Sequence, residues 1–217
     1  MQMIWNENSI YLHGRVADRP VFSHSSHGGR YYVFPMSVLR LSGAEDRVNV
    51  IAAEDLLEQG AFDSGEEISV RGEVRSFNNK SGVGSRLIIT VYAREVAFEQ
   101  REDENHLTLS GTLCRPPIYR KTPLGRDICD MMLAVNRRYG RTDYLPCISW
   151  GGLAQRCKDL PVGGKIRLEG RLQSRAYTKR EGENAQERTA FEVSVMEMEL
   201  EESVLDAVPS GREALNT

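Results

Sequence analysis

Apolar and polar residues alternate with a period of two along most of this chain. That spacing puts successive side chains on opposite faces of an extended strand, with one face available for a core. It predicts strands over 9–16, 32–41, 47–53, 67–76 and 86–98. It predicts five more over 106–113, 128–137, 144–150, 165–174 and 188–200. Between the third and fourth strand of each set lies a short helix-like stretch, over 54–59 and 152–158. Each stretch is followed by a glycine turn, Ser64-Gly65 and Gly163-Gly164. The alternation therefore predicts an all-β fold.

The two sets are copies of one another. Asn8-Ser9-Ile10-Tyr11-Leu12-His13-Gly14-Arg15-Val16 matches Asn105-His106-Leu107-Thr108-Leu109-Ser110-Gly111-Thr112-Leu113 at an offset of 97. Ile68-Ser69-Val70-Arg71-Gly72-Glu73-Val74 matches Ile166-Arg167-Leu168-Glu169-Gly170-Arg171-Leu172 at an offset of 98. A period this long means duplicated domains rather than a solenoid. We expect domains over 1–100 and 105–201, joined by the charged segment 100–104, with a short tail over 202–217. Five strands with a helix between the third and fourth is the order of the oligonucleotide/oligosaccharide-binding (OB) barrel. The expected architecture is two tandem five-stranded OB barrels. Glycines in the first and fourth strands of each copy suit strands that must bend sharply to close a barrel.

Composition narrows the function. The 217 residues are 40% hydrophobic and 27% charged, as in soluble globular proteins. No apolar run approaches the roughly 20 residues that span a bilayer. The N-terminal segment lacks the basic-then-apolar pattern of a secretory signal, so a cytoplasmic protein is expected. The four cysteines, Cys114, Cys129, Cys147 and Cys157, form no Cys-x-x-Cys pair and are expected to be reduced thiols packed as small hydrophobes. His24-Ser25-Ser26-His27, followed by two glycines, reads as a polar hairpin loop rather than half a metal site. The formal net charge is -3, but its distribution is uneven. Residues 1–103 hold 11 Lys+Arg and 15 Asp+Glu, whereas residues 104–200 hold 16 and 12.

The basic surplus of the second copy is interleaved with aromatics. Its second strand ends in Asn136-Arg137-Arg138-Tyr139-Gly140-Arg141, and its third runs from Tyr144 to Trp150. Its fourth leads into Gln173-Ser174-Arg175-Ala176-Tyr177-Thr178-Lys179-Arg180. An early loop reads Tyr119-Arg120-Lys121-Thr122-Pro123-Leu124-Gly125-Arg126. A sequence-tolerant binder of single-stranded nucleic acid needs this combination: flat rings for bases and cations for phosphates. Tyr144 and Trp150, six residues apart, share one face of their strand, while Leu145, Cys147 and Ser149 face the other way. A lone ring in a barrel is more often packing than platform. Lys165 and Arg167 read as part of a solvated face.

Over about 95 residues the second copy resembles the bacterial single-stranded DNA-binding protein (SSB) family. The resemblance rests on Leu107-Thr108-Leu109-Ser110-Gly111, Tyr119-Arg120-Lys121-Thr122-Pro123-Leu124-Gly125, Leu133-Ala134-Val135-Asn136-Arg137-Arg138, Ile148-Ser149-Trp150-Gly151-Gly152-Leu153-Ala154 and Leu168-Glu169-Gly170-Arg171-Leu172-Gln173-Ser174-Arg175. It implies base stacking on Tyr139, Tyr144, Trp150 and Tyr177, and Arg120 matches a basic position of the family. From the basic and aromatic interleaving, Arg120, Lys121, Arg126, Arg137, Arg138, Arg175 and Lys179 are expected to neutralise phosphates. The resemblance also implies four OB barrels in the working assembly, which a two-barrel chain reaches as a homodimer. Many members carry a long tail ending in an acidic cluster and a phenylalanine. The segment 202–217 does not match that tip, so recruitment of partners by that route is not expected.

The first copy departs from the pattern. The repeat places Ala53 opposite Trp150 and Arg47 opposite Tyr144. Arg30, Tyr31, Tyr32, Arg75 and Phe77 are its candidates for DNA contact, and an assembly module is the competing reading. No nucleophile elbow, phosphate loop or His-Glu-x-x-His motif occurs, so neither catalysis, cofactor nor metal is expected. The expectation is sequence-tolerant binding of single-stranded DNA in replication, recombination or repair. The alternatives are an assembly protein of a primosome or mobile-element complex with weak DNA binding, and an RNA-binding OB protein.

Overall fold

The computed structural model describes residues 7–79, 85–137, 140–181 and 184–200, with side chains for all of these except 178–188. The first copy contributes β1 (Asn8–Val16), β2 (Val21–Ser26), β3 (Gly29–Leu39), β4 (Glu45–Ala53), α1 (Glu54–Leu57), β5 (Glu67–Asn78) and β6 (Leu87–Ala97). The second contributes β7 (Glu104–Leu113), β8 (Ile118–Lys121), β9 (Asp127–Asn136), β10 (Thr142–Trp150), α2 (Gly151–Cys157), β11 (Lys165–Glu181) and β12 (Asn184–Leu200). Among the described residues no helix is long and apolar enough to cross a membrane.

Each copy closes into a barrel of five strands. In the first, β1 pairs β3 and β5, β3 pairs β4, β5 pairs β6, and a parallel β4–β6 pair completes the ring. The second repeats this with β7, β9, β10, β11 and β12, including the parallel β10–β12 pair. The two tandem OB barrels expected from the repeat are present, each with a short helix between its third and fourth barrel strands. Alternate residues fill the interiors: Leu12, Phe34, Met36, Val48 and Val74 in one barrel, and Leu109, Met131, Leu133, Leu145 and Leu172 in the other. Burial of each such side chain contributes about 1.5–3 kcal/mol.

A sixth strand per copy was not expected. β2 and β8 pair only with β3 and β9 and extend each barrel outward. Both are polar or exposed on both faces, so no apolar alternation marks them. The β2–β3 connection is a two-residue turn at His27 and Gly28, both with positive φ, as a type I′ hairpin requires. The histidine–serine stretch is thus a hairpin, as expected, but with His24, Ser25 and Ser26 already in the strand.

The fourth barrel strands bend where expected. Pairing slips at Arg71/Gly72 and at Glu169/Gly170. A Cβ on Gly170 would lie 2.2 Å from the Ser194 carbonyl oxygen, and one on Gly72 would lie 2.3 Å from that of Tyr92. Only glycine lets the neighbouring strand approach so closely.

The barrels are joined edge to edge. β1 and β7 pair antiparallel from Asn8↔Leu109 to His13↔Glu104, merging both barrels into one 12-stranded sheet. Ile10 pairs with Leu107, its own repeat mate, so a local twofold relation passes through that pair. The equivalent asparagines brace β5 and β11: Asn8 exchanges two hydrogen bonds with the Val74 backbone at 2.9 and 2.8 Å, and Asn105 does the same with Leu172 at 2.8 and 3.0 Å.

Candidate nucleic-acid interface

β10 carries the centre of the site. Its inward residues Leu145, Cys147 and Ser149 are buried, and Tyr144 and Trp150 project outward, 51% and 41% exposed. At about 3.4 Å per residue the two rings stand roughly 20 Å apart along the strand. Between them on the same side of the strand lie half-buried Pro146 and buried Ile148. Trp150 ends the strand in extended backbone and starts α2. Tyr119 donates to Asp127 at 2.6 Å, and Gln155 of α2 donates to both, at 2.6 and 2.8 Å. The Tyr119 hydroxyl and Gln155 amide hold the Asp127 carboxyl below its usual range, and the carboxylate pushes the Tyr119 phenol up.

The cations differ in availability. Arg120 and Lys121 lie on β8, more than half exposed, facing Asp130 at 2.9 Å and Asp127 at 3.7 Å. Arg126 is exposed in the turn before β9. Arg175 is exposed on β11, with its guanidinium 5.9 Å from the ring of half-buried Tyr177. Lys179 lies on the same strand, but its side chain is outside the described residues, as are Arg138 and Tyr139. β11 runs to Glu181, past the expected end at 174, which places Tyr177 in a hairpin arm with β12.

Arg137 is placed differently from a free phosphate contact. Its side chain is 14% exposed and ion-paired with the fully buried Asp143. It also donates to the Ser76 carbonyl of the first barrel at 3.0 Å, and it lies 5.2 Å over the Phe77 ring. Asp143 further accepts from the Ser76 backbone N–H and from Arg75 at 3.3 Å. The Tyr144 N–H donates to Ser76 Oγ at 2.8 Å, so this clamp sets the backbone of a site residue. The mirror arrangement exists across the local twofold. Asp46, also fully buried, pairs with Arg40 and accepts from the Ser174 N–H at 2.8 Å, while the Arg47 N–H donates to Ser174 Oγ at 2.9 Å. Burial, with Arg137 alongside, pushes the Arg75 guanidinium below its ordinary value.

This clamp was missing from the reading of the sequence, although a signal exists: Arg40 and Asp46 recur as Arg137 and Asp143 at the repeat offset. Arg167 also proved structural, pairing with Glu7 at 2.7 Å across the two copies. Of the cysteines, Cys129, Cys147 and Cys157 are buried, and burial pushes Cys129 up to about 11. Cys114 is exposed rather than packed and donates to the Met132 carbonyl at 3.2 Å. Among the described residues no group of three or more His, Cys, Asp or Glu side chains is assembled for a metal.

Barrel topology defines a tandem OB-fold protein, and its second barrel carries an exposed ring face bordered by cations. Residues 104–201 match the single-strand binding protein family. A single-stranded DNA-binding protein of Halalkalibacterium halodurans is 32% identical over 99 residues, covering 42% of this chain and 56% of the relative. One from Neisseria meningitidis serogroup A is 32% identical over 105 residues, covering 44% and 59%. The chain thus spans little more than half the length of these relatives. The crystal structure of a deletion mutant of the single-stranded DNA binding protein from Thermus aquaticus superposes with a TM-score of 0.75 at 22% identity, covering 96% of this chain and all of that one. That likeness concerns the tandem fold.

Proposed function

We propose that this protein binds single-stranded DNA without strong sequence preference, in replication, recombination or repair. Bases stack on Tyr144 and Trp150, and on Tyr139 and Tyr177 at the margins. Phosphates are neutralised by Arg120, Lys121, Arg126, Arg138, Arg175 and Lys179. Arg137 has its charge engaged by Asp143, so its main part is to hold Ser76 and Phe77 in place. The observation that carries the reading is the pair of exposed rings on one strand face whose opposite side is a closed core. Rings of this size are costly to leave in water and offer a π-face to any base.

The act is passive binding, with no chemistry assigned to any residue. Residues 1–100 and 105–201 are taken as the two domains, and the unit of function as a homodimer presenting four OB barrels in the bacterial cytoplasm. Light scattering at micromolar concentration checks the dimer; a mass near 24.5 kDa rather than twice that refutes it.

Trp150→Ala tests the binding reading. Each stacked base is worth about 1–3 kcal/mol, so oligo-dT affinity is expected to fall about 5- to 150-fold. Tryptophan fluorescence of the unmodified protein is expected to be quenched by oligo-dT, with Trp150 as the responding ring. Unchanged affinity in the variant overturns the stacking assignment.

A further inference from the structure

The first barrel lacks rings at the positions that carry them in the second, yet its outer face is not bare. β4 ends in Ala53 where β10 ends in Trp150. The pairing registers show what has changed. Ala53 pairs with Tyr31, whereas Trp150 pairs with Ile128, which is buried. Directly paired residues of an antiparallel ladder share a face. The ring has moved one strand sideways, from β4 to β3, and stays on the same outer surface.

Tyr31 is the centre of a cluster. The His24 ring stacks on it with centroids 5.0 Å apart and planes 11° apart. The Tyr92 ring of β6 lies 5.9 Å away, with the two hydroxyls 3.3 Å apart. The Arg94 guanidinium lies 4.8 Å over the ring of Tyr92. Tyr92 pairs with Ile51 exactly as Ser194 pairs with Ile148 in the other barrel, so the second ring too is peculiar to the first copy. Both tyrosines are half-buried on the outer face, outside the hydrophobic core.

The cluster is continuous with the interface already described. Glu73 links Arg94, at 3.0 Å, to Arg75 on the same strand. Two residues beyond Arg75 comes Phe77, 40% exposed beneath Arg137 of the second barrel. Ser76, between them, receives the Tyr144 N–H. Glu73 is the acidic residue on this path, and its carboxylate is already shared by two guanidiniums.

We infer that Tyr31 and Tyr92 form a second base-stacking platform, reached by a single strand that leaves the Tyr144–Trp150 face and crosses the barrel junction over Phe77. This rests on the stacking reading of the second barrel. The ligand is the same DNA strand, continued, and a long oligonucleotide engages both barrels of one chain.

The test compares oligo-dT of about 12 and about 30 nucleotides, lengths within and beyond the reach of one OB barrel. Tyr31→Ala/Tyr92→Ala is expected to lower affinity for the longer strand about tenfold or more and to leave the shorter within about twofold. Tyr31→Phe/Tyr92→Phe, which keeps the rings, is expected to bind both normally. Trp150→Ala is expected to weaken both. If Trp150→Ala acts and the double alanine variant leaves the long strand within about twofold, or weakens both lengths equally, the platform is overturned while the second barrel stands. If Trp150→Ala changes neither length, the underlying reading fails first. Photocrosslinking of the unmodified chain to an iodouracil-bearing strand of about 30 nucleotides decides the matter should the alanine variant fail to fold. Adducts at Tyr31 or Tyr92 are expected, and adducts confined to residues beyond 104 overturn the inference.

Discussion

Asp143→Ala removes one of the two buried carboxylates, Asp143 and Asp46, that clamp the barrel junction among the described residues. The side chain is fully buried and accepts from Arg137, Arg75 and the Ser76 N–H. Without it, two guanidiniums only 14% and 13% exposed face one another with no counter-charge between them, and a buried N–H loses its acceptor. Breaking a buried pair by removing one partner costs about 3–5 kcal/mol. Arg75 keeps Glu73 as a second partner, which favours the lower end of that range. For a chain of this size each kcal/mol lowers Tm by about 2–4 °C, so calorimetry is expected to show a fall of roughly 6–20 °C. Adding Arg75→Met to Asp143→Ala is expected to recover part of the loss by removing one stranded cation. A Tm within about 2 °C of the unmodified protein, or a double variant worse than the sum of its parts, refutes the electrostatic account.

Three further outcomes follow from other parts of the structure. Arg126→Ala is expected to lower oligo-dT affinity and to flatten the slope of log affinity against log salt by about 0.7, the share of one phosphate on a single strand; an unchanged slope removes Arg126 from the phosphate contacts. Gly170→Ala forces a Cβ to within 2.2 Å of the Ser194 carbonyl oxygen and is expected to cost about 1–3 kcal/mol in denaturant unfolding, while Gly72→Ala behaves alike. Tyr119→Phe deletes the main donor to Asp127, so the Asp127 carboxyl, followed by carbon NMR, is expected to titrate closer to its ordinary value. Because that pKa is depressed in the folded protein, its contribution to stability is present above the ordinary carboxyl pKa of about 3.9 and is lost as pH falls through the folded value.

Much of this molecule is written locally. Period-two alternation marks a barrel strand wherever one face is core and the other is water, and it did so for all ten barrel strands. The same alternation placed Tyr144 and Trp150 outward and Leu145, Cys147 and Ser149 inward, because side-chain parity along a strand needs no tertiary information. The repeat offset established two equivalent barrels for the same reason. β2 and β8 escaped notice because neither has a buried face to generate a pattern.

What the sequence determined alone is therefore the pair of barrels, the face of β10 that carries rings, and the likeness of the second half to single-strand binding proteins. Tertiary structure decided how the barrels meet and what that does to charge. Arg137 reads in sequence like its neighbour Arg138, yet the fold brings it to Asp143 and Ser76, and it becomes part of a junction. Tyr31 reads like any strand tyrosine, yet its register against Ala53 and its contact with Tyr92 place it in a ring cluster. Parity is a property of one strand. Pairing between residues about 60 positions apart depends on which edges the chain brings together, and no local pattern encodes that choice.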